Sequence, residues 1–234
     1  MKQHLGILAL LLAATTAVAP AAVKPTRIAV GGSATVTAVP TVATVSVAVV
    51  SNAESASDAV GENSATYERV AAAIERLGIA KSAIALGSYN VDYNPRPNPM
   101  PSNPPPYARY GYTVTRSFDV RVGEIAKAGS VIDAATAAGA TQINGVSFGL
   151  ADQSAAKAQA TAKAVADART KAQQVAAAAG LHITRIASIS LDAGGGGIQP
   201  LVRMSAMAAK EPTTLNPGDV SVSSNVTIVF DAQP

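Results

Sequence analysis

"TVATVSVAVVSNAESASDAVGENSATYERVAAAIERLGI" spans Thr41–Ile79, and its hydrophobic period changes partway along. In the first part Val45, Val47 and Val49 recur at every second residue, the pattern of a half-buried strand. In the second part Tyr67, Val70, Ile74 and Leu77 fall on one face of a helix running from about Glu54 to Leu77. Gly78 followed by Ile79 is a helix stop with an apolar residue after the glycine. Gly61 weakens this helix by about 1 kcal/mol relative to alanine. A strand that runs into an amphipathic helix calls for a sheet with a helical layer on it, which decides for an α+β class.

The same reading extends outward. Upstream, Val36 lies on a strand that ends at a turn marked by Pro40, within the alternating stretch Arg27–Asn52. Downstream, Ile84–Tyr93 and Ala108–Val122 read as strands. The segment 94–106 between them holds seven of the fourteen prolines. Proline donates no N–H, so this segment is a hairpin loop of extended, polyproline-like character. Gly123–Ala140 is a second helix, with Ile125, Ala128, Ile132 and Ala135 inward and Gly139 ending it. "TQINGVSFGL" is a strand. Asp152 is placed to cap a long alanine helix that runs to Ala179, and Gly180 with Leu181 repeats the earlier stop. Ala158, Ala162, Val165, Ala168, Ala172, Val175 and Ala179 recur at intervals of about a turn and form its expected buried face. Lys163, Asp167 and Lys171 are spaced to support its outer face. "HITRIASISL" is a strand, residues 192–219 are a flexible connection, and Val220–Phe230 closes the chain as a strand. The order is ββαββαβαββ: a two-layer α+β sandwich containing a ferredoxin-like βαββαβ portion.

Residues 1–22 read as a signal peptide, with Lys2, an apolar run and small residues at Ala17 and Ala19. The apolar run is short for a membrane span, so the mature chain, residues 26–234, is expected to be exported and soluble. It reads as one domain, compatible with two α+β subdomains. It contains no cysteine, which excludes disulfides and thiol chemistry. Charged residues make up only 14% of the chain, and no Lys/Arg cluster suits phosphate, so nucleic acid is not an expected partner.

"GVSFG" at Gly145–Gly149 matches the nucleophile elbow, with Ser147 in the serine position. The mature chain offers one histidine, His182, and any intervening acid lies on or caps the long helix. A strand end with Val146 and Phe148 facing the core is the plainer reading. His182 lacks neighbouring ligands at metal-binding spacing, and Gly194–Gly197 lacks phosphate-loop residues. No catalytic residue, cofactor or metal is expected. Met100, Met204 and Met207 are the expected exposed oxidisable sulfurs.

Five of the six tyrosines flank the proline loop. Tyr89, Val91 and Tyr93 share one strand face, and Tyr110, Tyr112 and Val114 share another. They form either a cross-strand ladder bracing a long hairpin or an interaction surface. The length of the loop favours the surface. Its candidate residues are Tyr89, Tyr93, Pro95, Pro97, Pro99, Pro104, Pro105, Pro106, Tyr107, Tyr110 and Tyr112.

The motifs in order resemble the SIMPL-domain family of exported bacterial proteins, which includes periplasmic immunogenic and oxidative-stress defence proteins. "IAVGGSATVTAVPTVATVSVAV", "AAAIERLGIAKSAIALGSYNVDY", "GYTVTRSFDVRV", "AAGATQINGVSFGLAD", "AVADARTKAQQVAAAAGL" and "NPGDVSVSSNVTIVF" carry the likeness across nearly the whole mature chain. Thr41 stands where the family often has Asp, and the proline loop is richer than the family's linker. The resemblance implies a periplasmic α+β protein, self-assembly into an oligomer, and a link to envelope stress, with no catalytic residues to transfer. The expectation is therefore a non-enzymatic envelope protein whose partner is itself, with other envelope components as further partners. The alternatives are a monomeric binding module for a peptide, polymer or membrane surface, and a serine hydrolase using Ser147.

Overall fold

The computed structural model describes residues 25–98, 109–191, 199–200 and 213–234. The expected signal peptide, most of the proline loop, the glycine run and the three methionines named above lie outside them. Strands β1 (Thr26–Ala38) and β2 (Val42–Ala53) are followed by helix α1 (Ala56–Glu75), then β3 (Ile84–Asn94) and β4 (Gly111–Val122). Helix α2 (Ala128–Ala137), β5 (Gln142–Gly149) and the long helix α3 (Ser154–Ala178) follow. Strands β6 (His182–Leu191), β7 (Gln199–Pro200) and β8 (Val220–Gln233) complete the chain. The expected order holds, with two adjustments. A single 3-10 turn at Ile125–Lys127 replaces the first part of the expected second helix. The connection 192–219, read as flexible throughout, contains the short β7, which pairs with the start of β8.

The strands form two sheets. One has the order β3-β4-β2-β5, antiparallel throughout, and is the expected ferredoxin-like unit. Its core is built of branched and aromatic side chains. Val45, Val47 and Val49 of β2 meet Phe118 and Val120 of β4, Val70 and Ile74 of α1, and Val131 of α2. The face read from the period of Tyr67, Val70, Ile74 and Leu77 is the one that packs. Ser55 caps α1: its Oγ accepts the Asp58 N–H at 3.1 Å and donates to the Asp58 carboxylate at 2.7 Å. Asn63 is fully buried beneath the helix, and its Nδ2 donates to the carbonyls of Val49 and Val114. That amide fastens α1 across β2 and β4. Gly78, Gly139 and Gly180 all adopt positive φ at the ends of α1, α2 and α3, as expected for glycine stops.

The other sheet has the order β1-β8-β6, with β7 beside β8. Pro40 therefore does not close a hairpin. It sits where the chain leaves one sheet for the other. β1 finds its partner in the last strand, from Thr26 opposite Ala232 to Ala38 opposite Val220. Asp231 is buried and stands in register with Arg27 and Arg185 on the flanking strands. Its carboxylate lies 2.6 Å from Arg185 Nη2 and 3.7 Å from Arg27 Nε. Neither oxygen has a well-directed hydrogen bond, so charge pairing holds this triad. The far end of β8 also reaches the first core, where Val220 is buried. Thr213, just upstream of β8, is held by Asp133 of α2 through its hydroxyl at 2.7 Å.

Helix α3 covers this second sheet with small residues. Its buried face is Ala160, Ala164, Ala168, Ala172 and Ala176; the middle three pack over Val226, Ile228 and Phe230 of β8, and Ala176 packs with Ile28 and Ala232. This corrects the expected face: Ala158, Ala162, Val175 and Ala179 are exposed, and Val165 is half-buried. The stripe runs strictly at i,i+4, so it winds slowly round the helix as the i±4n ridges do, following a twisted sheet. The reason for its position is Gly32 of β1. A Cβ there would collide with the Ala164 carbonyl oxygen and stand 2.7 Å from Ala168 Cβ. The glycine lets the helix backbone rest almost on the strand. Asp152 accepts the Ser154 N–H at 2.8 Å from one residue outside the helix; the N-cap itself is Gln153, which makes no side-chain cap bond, so the expected cap lies one residue too early.

Asp167 and Lys171 do more than decorate the outer face. Asp167 accepts the Ser33 N–H at 3.0 Å, and Lys171 Nζ donates to the Gly31 carbonyl at 3.2 Å and to Asp167 at 2.7 Å. Both groups belong to the free edge of β1. The Lys171 ammonium and the Ser33 N–H hold the Asp167 carboxyl below its ordinary range, the ammonium contributing most.

Candidate functional site

The β3–β4 hairpin stem positions the tyrosines singled out in the sequence. β3 is an edge strand, and every residue of it after Ile84 is exposed. The register puts Leu86, Tyr89, Val91 and Tyr93 opposite Phe118, Arg116, Val114 and Tyr112 of β4. Those β4 residues point toward α1. The helix, however, sits over β2 and β4 and does not reach β3. Leu86 is therefore 66% exposed and Tyr93 60% exposed, with Tyr89 and Val91 also open to solvent. Tyr93 and Tyr112 form one rung of the expected ladder, with ring centroids 4.7 Å apart.

The ladder goes no further. Tyr110 precedes β4, and Gly111 turns the chain at positive φ where a Cβ would run into the Ala53 carbonyl. Val114 is fully buried, so it belongs to the core rather than to the surface. Pro95 and Pro97 are exposed beyond the end of β3. Pro99, Pro104, Pro105, Pro106 and Tyr107 lie outside the described residues.

Arg116 is a functional candidate that the periodicity reading passed over. It stands between Val114 and Phe118 in an inward-facing row, where an apolar residue is expected. Its guanidinium carbon lies 4.6 Å from the Tyr67 ring centroid and 4.9 Å from that of Tyr89. One Nη also reaches Ser64 Oγ at 3.4 Å. A cation between two aromatic faces is worth about 0.5–2 kcal/mol per ring. It orients Tyr89 on an otherwise uncovered strand. The sequence signal was the break in the apolar row "TVTRSFDV".

A second open surface lies on the other sheet. Helix α3 covers β1 and β8, and leaves Ile189 and Leu191 of edge strand β6 about half exposed. Between α3 and β6 runs an open groove of about 300 Å³, with Ile183, Ile186 and Phe230 as its floor and Arg169, Gln173 and Arg185 around it.

Ser147 is placed within β5 opposite Thr44, several residues before α3 begins. That is not the sharp strand-to-helix turn on which an elbow nucleophile sits. Val146 and Phe148 pack on the first core, as the strand reading expected. His182 is exposed at the start of β6, in the other sheet from Ser147. Among the described residues no three His, Asp or Glu side chains come together as metal ligands would. No helix among them is long and apolar enough to cross a membrane.

The sequence matches the SIMPL family, described as a protein of unknown function (DUF541), over residues 28–230. It is 29% identical over 221 residues to the 26 kDa periplasmic immunogenic protein of Brucella melitensis, covering 89% of this chain and 85% of that protein. The protein of the same name from Brucella abortus is 29% identical over 216 residues, with the same coverage. The uncharacterized protein YggE of Escherichia coli K12 is 27% identical over 216 residues, covering 89% of this chain and 84% of YggE.

Proposed function

The chain belongs to the SIMPL family, and from that premise we propose that it is an exported, non-enzymatic protein of the cell envelope that assembles with copies of itself. The observation that carries this reading is the bare β3 edge, where Leu86, Tyr89, Val91 and Tyr93 lie open along one strand. An exposed apolar edge strand is a template for pairing with another chain. Export to the periplasm is supported by the leader-like residues 1–22 and by the name of the Brucella relatives. A stress-related role rests on the family resemblance, and in a chain without cysteine it would act indirectly.

Light scattering of the mature protein at micromolar concentration tests the reading. A mass several times that of one chain is the expected result, and a clean monomer overturns it. Deleting residues 94–106 should lower that mass if the proline loop shares in the contact.

The groove between α3 and β6 favours a second reading, a binding module for an extended peptide or polymer. That reading expects a monomer whose groove variants lose partner capture without a change in mass.

A further inference from the structure

Besides the two-residue β7, four described strands stand at sheet edges: β1, β6, β3 and β5. Two are protected. Asp167 and Lys171 occupy hydrogen-bonding groups on the free side of β1. β5 is the shortest of the four, at eight residues. The other two, β3 and β6, are ten residues or longer, carry no lysine or proline, and have no described strand on their outer side. Each shows an uncovered apolar row on the side of the sheet where the helices pack. Proteins ordinarily blunt such edges, and this one blunts half of them.

We propose that β3 of one copy adds antiparallel to β6 of the next, joining the two sheets of neighbouring molecules into one. This rests on the self-assembly reading above and names its contact. The two strands fit each other in pattern. Both carry one-residue irregularities against their inner neighbours, between Leu86 and Ser88 on β3 and at two places on β6. With Leu86 set opposite Leu191, the apolar rows stay in phase through those breaks: Val91 meets Ile186, and Tyr93 meets Ile183. Polar residues then fall on the opposite face, and Asp92 meets Arg185. Arg185 is 71% exposed despite its contact with Asp231, so its guanidinium has donors to spare. The groove beside α3 is the space that Val91 and Tyr93 enter.

Charge selects this pairing over like with like. β3 contributes only Asp92, whereas β6 contributes Arg185 and has Arg169 of α3 beside it. Pairing β6 with β6 brings the arginines together, and pairing β3 with β3 leaves two acids without a cation. The contact is therefore heterologous, with one donor edge and one acceptor edge per copy. Repetition of it gives a closed ring or an open chain.

The absence of native cysteine provides a clean test. Asn90 and Ser188 are both exposed and fall opposite each other in this register, at a separation a disulfide can span. Under mild oxidation, a mixture of the full mature Asn90→Cys and Ser188→Cys proteins should give a cross-linked dimer as the main product. Neither variant alone should do so. Val91→Lys, at an exposed position, should weaken association at least tenfold by light scattering while the circular dichroism spectrum stays native.

A monomeric wild-type protein removes both this pairing and the assembly reading. A wild-type oligomer that yields no mixed cross-link, or that cross-links equally within each variant alone, overturns the β3–β6 contact and leaves assembly standing.

Discussion

The two sheets solve the same packing problem with opposite materials. The β3-β4-β2-β5 sheet meets α1 and α2 through valine, isoleucine and phenylalanine. The β1-β8-β6 sheet meets α3 through alanine, with a glycine on the strand beneath. In the first interface, stability comes from the volume that side chains fill. In the second it comes from how closely two backbones approach, and from the Asp167–Lys171 clip that fixes the helix along β1. A core of large residues is hurt by truncation; a small-residue contact is hurt by enlargement.

Four substitutions or conditions can break that contrast, each followed by urea or thermal unfolding. Phe118→Ala removes a ring that is 1% exposed and touches Tyr67 edge-on, and should cost about 3–5 kcal/mol. Ala168→Leu places a larger side chain against Gly32, where no space exists, and should cost about 1–3 kcal/mol. An unchanged melting temperature for Ala168→Leu would mean the helix stands off the strand and the contrast is false.

Acid should act on the second interface through Asp167. Its carboxyl is held below the ordinary value of about 3.9 when folded, so its contribution is whole above that range and declines as pH falls through the folded value. Below about pH 4, the wild-type melting temperature should therefore fall more steeply than that of Asp167→Asn. Equal slopes would show that the clip does not form.

The smallest effect is expected for Val175→Ala. Val175 is 48% exposed, and its loss should change stability by no more than about 0.5 kcal/mol. A larger loss would restore the face first expected from spacing.

That face shows where sequence reading ran out. Valine, isoleucine and tyrosine against serine, glutamate and arginine make a strong contrast, so β2 and the inner face of α1 were legible. The glycine stops were legible too, because one backbone conformation demands one residue type. In α3 alanine occupies so many positions that inside and outside differ little in hydrophobicity. What selects the stripe is Gly32, more than a hundred residues away along the chain. The pairing of β1 with β8 was hidden for the same reason, since the turn at Pro40 reads alike whether its strands pair or part.

At the candidate surface, the tyrosines were visible as a cluster, and Tyr93 with Tyr112 does pair. The open row on β6 was not, because Ile189 and Leu191 look like core residues until the reach of α3 is known.

The β1–β8 ladder also sets an order of events. The ferredoxin-like unit has all four of its strands by Gly149, and their pairings are comparatively local. β1 precedes the ferredoxin-like unit in the chain, yet its only strand neighbour among the described residues is β8, which follows that unit. Long-range pairing of this kind is slow, because the chain between must be closed before any contact rewards it. Until β8 has been made, β1 lacks the strand that it pairs with in the folded sheet. The second sheet thus closes only after the first has all of its strands.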